Sequence, residues 1–260
     1  MVSTTRERTI RAMYVEHLGE GGPRLLFVHG GIVPGWQTWE AQRPLAEHYR
    51  LVVPHRPGYP PNPPAEGIDF DSQAHAIAEL IEPGTHLIGH SYGGVVSLLA
   101  AALVPERVRS LTVIEPPAFG LVRGQPLVEE LIERLAPLFA DDALPAREFF
   151  LRFAAVVAAT PRLPEVLPPE TEASITASRL EPLPWDVGIP LDAIAVARRP
   201  TLVFSGGHNA AFDAVCDLIA DRLDGQRVVI AGRGHSVQRT GEPFNTRLRT
   251  FIDVVAQPRG

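Results

Sequence analysis

The chain has no lysine, and all 24 of its basic residues are arginine. That excludes a Schiff-base amine, a phosphate-loop lysine and a Ser-Lys dyad together. Cysteine is nearly missing as well: Cys216 stands alone in 260 residues. No intrachain disulfide can form, and thiolate-ligated metal clusters are excluded. No apolar run reaches the roughly 18 to 20 residues of a membrane span, and residues 1–11 are polar, without the apolar core of a signal peptide. Nor is there a block of basic charge, since 24 basic residues against 30 acidic ones leave a net charge of −6. Nucleic acid and membranes are therefore not expected partners. The expectation is a cytoplasmic protein, monomeric or homodimeric, acting on a small molecule without a metal or other cofactor.

What is present suits one large soluble domain, with 45% hydrophobic and 21% charged residues. Short apolar runs alternate with longer helical patterns, which predicts an α/β fold: a mostly parallel central sheet flanked by helices. Strands are expected over 9–17 at an edge, then over 25–29, 51–54, 86–89, 108–114, 200–205 and 227–231. Helices are expected over 36–49, from a cap at Asp69 or Asp71 to 81, and over 93–104, 211–223 and 243–255. Five prolines within 57–64 exclude a helix there. Between 116 and 199 no strand pattern occurs, only amphipathic pieces near 127–139, 146–159 and 170–180. The predicted division is a core of 1–115 and 200–260 with a helical cap, or lid, inserted over 116–199.

The chemistry centres on Gly89-His90-Ser91-Tyr92-Gly93-Gly94, which follows an apolar run and leads into a helical one. Gly-x-Ser-x-Gly in that setting predicts a sharp strand-turn-helix corner holding a serine hydroxyl clear of the sheet, with Gly89 and Gly93 leaving room for its strained backbone. Ser91 is the candidate nucleophile. The helix behind it directs free N–H groups and a positive dipole end at developing negative charge. A serine needs a base, and His235, in a glycine-flanked loop just past the last strand, is the candidate. The acid that orients the imidazole is expected to be Glu115, at the end of the strand after the corner. The other slot, after the strand at 200–205, holds Asn209, and Asp213 is the fallback. Tyr92 and either Gly31 or Ile32 are expected to supply the oxyanion-hole amides. His29 is expected to pin the glycine loop, His90 to face away from substrate, and His208 either to be solvated or to sit near the triad.

The loop His29-Gly30-Gly31, the corner around Ser91 and the loop Gly234-His235, with helical pieces between 116 and 199, together resemble the α/β-hydrolase fold superfamily over about 24–255. The resemblance implies a serine hydrolase with a helical cap. An acid at Glu115 is similar to the arrangement in haloalkane dehalogenases and in the fungal lactonases that open zearalenone-type macrolactones. Dehalogenases and epoxide hydrolases carry aspartate where this chain has Ser91, so cleavage of a small-to-medium apolar carboxylic ester or lactone is the expected reaction. Phe139, Phe153 and Trp185 are expected to contact the substrate in an apolar pocket. His55 departs from the aspartate usual in the family, and Tyr92 departs from the tryptophan typical of proline iminopeptidases. The same triad could serve a carbon–carbon bond hydrolase or a cofactor-free lyase or perhydrolase, and a hydrolase-like ligand-binding protein is a further alternative.

Overall fold

The apolar runs pair side by side in a computed structural model of the protein, which describes residues 13–158 and 163–256. Seven strands, β1 (Val15–Leu18), β2 (Arg24–Val28), β3 (Arg50–Pro54), β4 (Thr85–His90), β5 (Val108–Ile114), β6 (Thr201–Ser205) and β7 (Gln226–Val229), form one sheet. Their order is β1-β3-β2-β4-β5-β6-β7. Only β1 runs antiparallel to its neighbour, and every other pair is parallel. A parallel strand returns through a helix, so both faces are covered. The helices are α1 (Gly35–Trp39), α2 (Phe70–Leu80), α3 (Tyr92–Leu103), α4 (Pro126–Ala140), α5 (Ala146–Val156), α6 (Pro169–Arg179), α7 (Leu191–Val196), α8 (Ala210–Arg222) and α9 (Glu242–Ala256).

Alternation along each strand sends successive side chains to opposite faces. Leu26, Val28, Leu87, Leu111, Val113 and Val203 pack with residues of α2, α3 and α8. Leu25, Phe27, Ile88, Ile114, Leu202 and Phe204 pack with Trp36 and Trp39 of α1 and with Phe244, Leu248 and Ile252 of α9. The strands read as unbroken apolar runs because both of these cores claim them.

Several elements differ from expectation. The predicted first strand begins at residues 9–12, which lie outside the described residues, and the strand itself is Val15–Leu18. The helix expected over 36–49 is one short α-turn, Gly35–Trp39, followed by a 3-10 helix, Glu40–Glu47. Pro44 lies inside that stretch and has no N–H for a helical bond, which disfavours a continuous α-helix. Asp69, not Asp71, caps α2: its carboxylate accepts from Ser72 N at 2.7 Å, and the Ser72 hydroxyl answers the Asp69 N–H.

The segment between β5 and β6 contains α4 to α7 and no strand among its described residues. Two prolines at the ends of the expected pieces start helices, Pro126 and Pro169, as N1 residues lacking an N–H that would be unused anyway. Phe149, Phe150, Ala154 and Ile175 form a separate small core there, joined by Ile32 from the sheet side. The short helix α7 was not legible. At 6 residues it is too brief to show a period, and only Leu191 and Ile194 are buried, against α3 and α8.

One buried charge pair ties the inserted segment to the sheet. Arg56, just past β3, is fully buried and pairs with Glu181, just past α6. The Arg56 guanidinium also donates to the carbonyls of His29 at 3.0 Å and Gly30 at 2.9 Å, while the Tyr59 hydroxyl donates to Glu181 at 2.8 Å. Burial opposes the charge on Arg56, but Glu181 outweighs it and holds the guanidinium above its ordinary pKa. Removing one partner of such a pair strands a charge in the interior, at a cost of about 3 kcal/mol or more. Glu181→Gln is therefore expected to lower folding stability by about 3 kcal/mol, read as a fall in the urea midpoint; an unchanged midpoint would show that the pair contributes nothing.

Candidate active site

The carboxyl rims of the central strands carry the residues that the sequence marks. Ser91 follows β4 directly, and its N–H donates to Ile114 O at 2.8 Å, so it stays in the sheet ladder. Its backbone sits at φ 53°, ψ −126°, a conformation disfavoured for any residue with a Cβ. The corner closes only because its glycines lack side chains: a Cβ on Gly93 would stand 2.2 Å from His29 O, and one on Gly89 2.5 Å from Gly93 O. Glu115 follows β5 in the same way, with its N–H on Phe204 O at 3.0 Å and φ at 44°. Ile32, in the loop after β2, is a third strained residue at φ 69°, unusual for a β-branched side chain.

Three side chains form one line. Ser91 Oγ lies 2.8 Å from His235 Nε2, and His235 Nδ1 lies 2.7 Å from Glu115 Oε2. All three residues are buried. A protonated Nδ1 bonded to the carboxylate leaves Nε2 with its lone pair toward the serine hydroxyl, the arrangement in which an imidazole removes a hydroxyl proton. Glu115 Oε1 accepts the Gly206 N–H at 2.6 Å. Burial alone would raise the Glu115 pKa, but His208 and His235 more than offset it and bring it down to about 2. The carboxylate is ionised at neutral pH.

The alternatives to Glu115 are employed elsewhere. Asn209 caps α8, its side chain accepting from Ala211 N at 2.9 Å. Asp213 lies within α8 and binds Ser205 Oγ and Arg227. Of two further histidines, His208 takes the second of its expected places and His90 differs from expectation. His208 is not solvated: its Nδ1 stands 3.3 Å from Glu115 Oε1, and only 12% of its side chain is exposed. Burial disfavours charge on this imidazole, but Glu115 prevails and raises its pKa. The signal in the sequence is position, because His208 follows β6, the strand beside the one that delivers Glu115. His90 does not turn away either. It lines the space beside Ser91 and binds His235 O through Nε2 at 2.9 Å, and burial, aided by His235, drives its pKa to about 3. A neutral His90 thus donates Nε2–H and braces the His235 backbone.

His29 is held from both sides. Its Nδ1 lies 2.7 Å from Gly30 O, and its Nε2 accepts the Arg56 N–H at 2.9 Å, which fixes the tautomer. Burial, reinforced by Arg56, keeps this ring well below the ordinary histidine value. His55, where the chain departs from its resemblance, binds Pro60 O at 2.5 Å and Glu16 at 2.9 Å and so anchors the proline-rich loop to β1.

Two cavities meet at Ser91 and His235, and Gly31 borders both. The inner one is walled by Phe139, Phe153 and Trp185, the three expected residues, with Tyr92, Leu135 and Phe212. Phe212 was missed because its place in α8 reads as core in the sequence. The outer one opens beside Ile32, Phe150 and the loop that carries His235. Tyr92 stacks on Phe70 and lies against the Arg56 guanidinium, 4.7 Å from its ring centre, so the wall behind Ser91 is continuous with the buried charge pair. Among the described residues no group of three or more His, Cys, Asp or Glu is placed to hold a metal ion, and no helix is long and apolar enough to cross a membrane.

The model of the Alpha/beta hydrolase family matches residues 25–247. The dihydrolipoyllysine-residue acetyltransferase component of the acetoin cleaving system of Pseudomonas putida is 27% identical over 90% of this chain and 64% of its own length. The pimeloyl-[acyl-carrier protein] methyl ester esterase of Aeromonas salmonicida is 38% identical over 40% of this chain and 42% of its own length. The chain thus spans less than two thirds of each of these curated relatives. Among solved structures, MenH from S. aureus superposes with a TM-score of 0.73 at 15% identity, covering 94% of this chain and 99% of that one, a likeness of fold.

The low Glu115 pKa makes a prediction about stability. A carboxyl whose folded value, about 2, lies below its ordinary 4.5 stabilises the folded state above about pH 4.5, and that contribution fades as pH falls toward 2. Glu115→Gln is expected to cost about 3 kcal/mol at pH 6, and the gap between variant and parent should shrink as the pH is lowered to 3. A gap independent of pH, in urea titrations at the two pH values, would contradict this origin.

Proposed function

The chain belongs to the alpha/beta hydrolase family, and we propose that it is a serine hydrolase cleaving a small-to-medium apolar carboxylic ester or lactone through an acyl-enzyme on Ser91. The observation that carries this reading is the unbroken line from Ser91 Oγ to His235 Nε2 at 2.8 Å and from His235 Nδ1 to Glu115 at 2.7 Å. The name of the esterase relative supports an ester as the substrate.

In the proposed reaction His235 takes the Ser91 proton as the hydroxyl oxygen attacks the carbonyl carbon. Glu115 fixes the imidazole tautomer and balances the imidazolium charge. The negative oxygen of the tetrahedral intermediate is received by the Tyr92 N–H and an N–H of Gly31 or Ile32, each contributing on the order of 3 kcal/mol. His235 then gives its proton to the leaving alcohol oxygen, the carbon–oxygen bond breaks, and the acyl group remains on Ser91. A water deprotonated by His235 releases the acid and restores the serine. Residues 116–199 act in this proposal as the lid, and Phe139, Phe153 and Trp185 as the apolar wall against which the acyl chain packs.

Ser91→Ala is expected to abolish hydrolysis of 4-nitrophenyl esters, by at least about a thousandfold, with thermal stability near that of the parent and with loss of labelling by a fluorophosphonate probe. Turnover retained in a clean preparation would refute the assignment. Glu115→Gln should reduce kcat far more than Asn209→Ala, because only the first removes the charge that balances the imidazolium; equal losses would place the acid elsewhere. His208→Gln should alter the pH profile of kcat/KM more than its plateau, since His208 contacts the carboxylate and not the serine; an identical profile would show that His208 only fills space.

A further inference from the structure

The two cavities flanking Ser91 and His235 differ in charge. Apart from His235, no ionisable acid or base other than the Tyr92 phenol lines the inner one among the described residues. The outer one is lined by Arg233 and Arg239 and, among the described residues, by no carboxylate. Both arginines belong to the segment that carries His235, two residues before it and four after, and both are exposed at the mouth. Some surface arginines, such as Arg43, Arg152 and Arg249, pair with a neighbouring glutamate, while others, such as Arg50, Arg109 and Arg147, bond backbone carbonyls. Arg239 likewise donates to the Gln37 carbonyl at 2.9 Å, and among the described residues neither it nor Arg233 forms an ion pair. Partial burial, and then the charge of Arg233, hold Arg239 below the ordinary arginine value. Two guanidiniums line one cavity with no carboxylate among its described lining residues, a setting that favours a bound negative charge.

The reaction assigns each cavity a half of the substrate. During turnover the acyl part stays covalently on Ser91 while the alcohol departs after accepting the His235 proton. The uncharged cavity, walled by aromatic and aliphatic side chains, suits the part that stays, and the cavity beside the His235 loop, lined by the two arginines, suits the part that leaves. We infer, on the reading just given, that the outer cavity is an anion-selecting subsite: Arg233 and Arg239 receive a carboxylate or similar anionic group on the alcohol portion of the ester, while the inner cavity takes an apolar acyl chain. The anionic group keeps its charge throughout. Only the ester carbon–oxygen bond breaks, and the proton lost by Ser91 ends on the alcohol oxygen.

The test compares 4-nitrophenyl hexanoate with 3-carboxy-4-nitrophenyl hexanoate, which share an acyl chain and differ by one anionic group on the leaving alcohol. The ratio of kcat/KM, charged over neutral, is measured for the wild type and for Arg233→Gln/Arg239→Gln. The expected wild-type ratio is about tenfold above that of the double variant in 20 mM salt and falls toward it in 0.5 M NaCl, where charges in contact with solvent are screened. Equal ratios in the two proteins would overturn the subsite. A second measurement does not depend on turnover: binding of 1-anilinonaphthalene-8-sulfonate and of neutral N-phenyl-1-naphthylamine to Ser91→Ala, with and without the two arginine substitutions. The arginines should strengthen binding of the sulfonate about tenfold relative to the neutral probe, and an equal effect on both probes would also overturn the inference. If no ester is turned over while the sulfonate still requires the arginines, the anion subsite stands and the serine hydrolase reading falls.

Discussion

The site turns on a carboxylate kept charged inside the protein. Glu115 is fully buried, and an isolated ionised carboxyl there would be too costly to keep. It is tolerated because its oxygens accept from the Gly206 N–H and His235 and stand 3.3 Å from the His208 imidazole, groups that come from two different crossings after β6 and β7. One residue therefore fixes how three strand ends sit relative to each other. The same need for partners strains the backbone, since Glu115 leaves β5 at φ 44° to bring its side chain over the rim. Ser91 leaves β4 at φ 53° in the same manner. Strain at two adjacent strand ends is held by the ladder bonds to β5 and β6, and the outcome is a serine, an imidazole and a carboxyl in line.

Much of this is legible in the sequence. The Gly-x-Ser-x-Gly corner, the strand pattern and the loop at His235 are local signals, each set by the conformational needs of a few adjacent residues. Glu115 followed from counting: 24 residues after Ser91 allow a helix, a turn and a strand back to the same rim. What stayed hidden depends on contacts between distant segments. His208 reads as a polar loop residue until β6 is set beside β5. Arg56 and Glu181 are 125 positions apart, and nothing local distinguishes either from a solvated charge. The break at Pro44 was present in the sequence but was outweighed there by the helical spacing around it.

The inserted helices and the sheet build the inner cavity together. Phe139, Phe153 and Trp185 come from the segment between β5 and β6, while Tyr92 and Phe212 come from helices packed on the sheet. Phe119 continues this aromatic wall, stacking with Trp185 and meeting Phe212 edge-on. An apolar wall shared in this way makes the shape of the cavity sensitive to how the inserted helices ride on the core. It also lets the two halves of a substrate meet different chemistry within a few ångströms of one serine.

The buried pair of Arg56 and Glu181 has a mechanical meaning. A guest too wide for the cavity must part the helices from the sheet, but the chain at Glu181 is bolted to the carbonyls of His29 and Gly30 through one guanidinium. That one guanidinium holds the end of α6 and the glycine loop beside Ser91 to a common point.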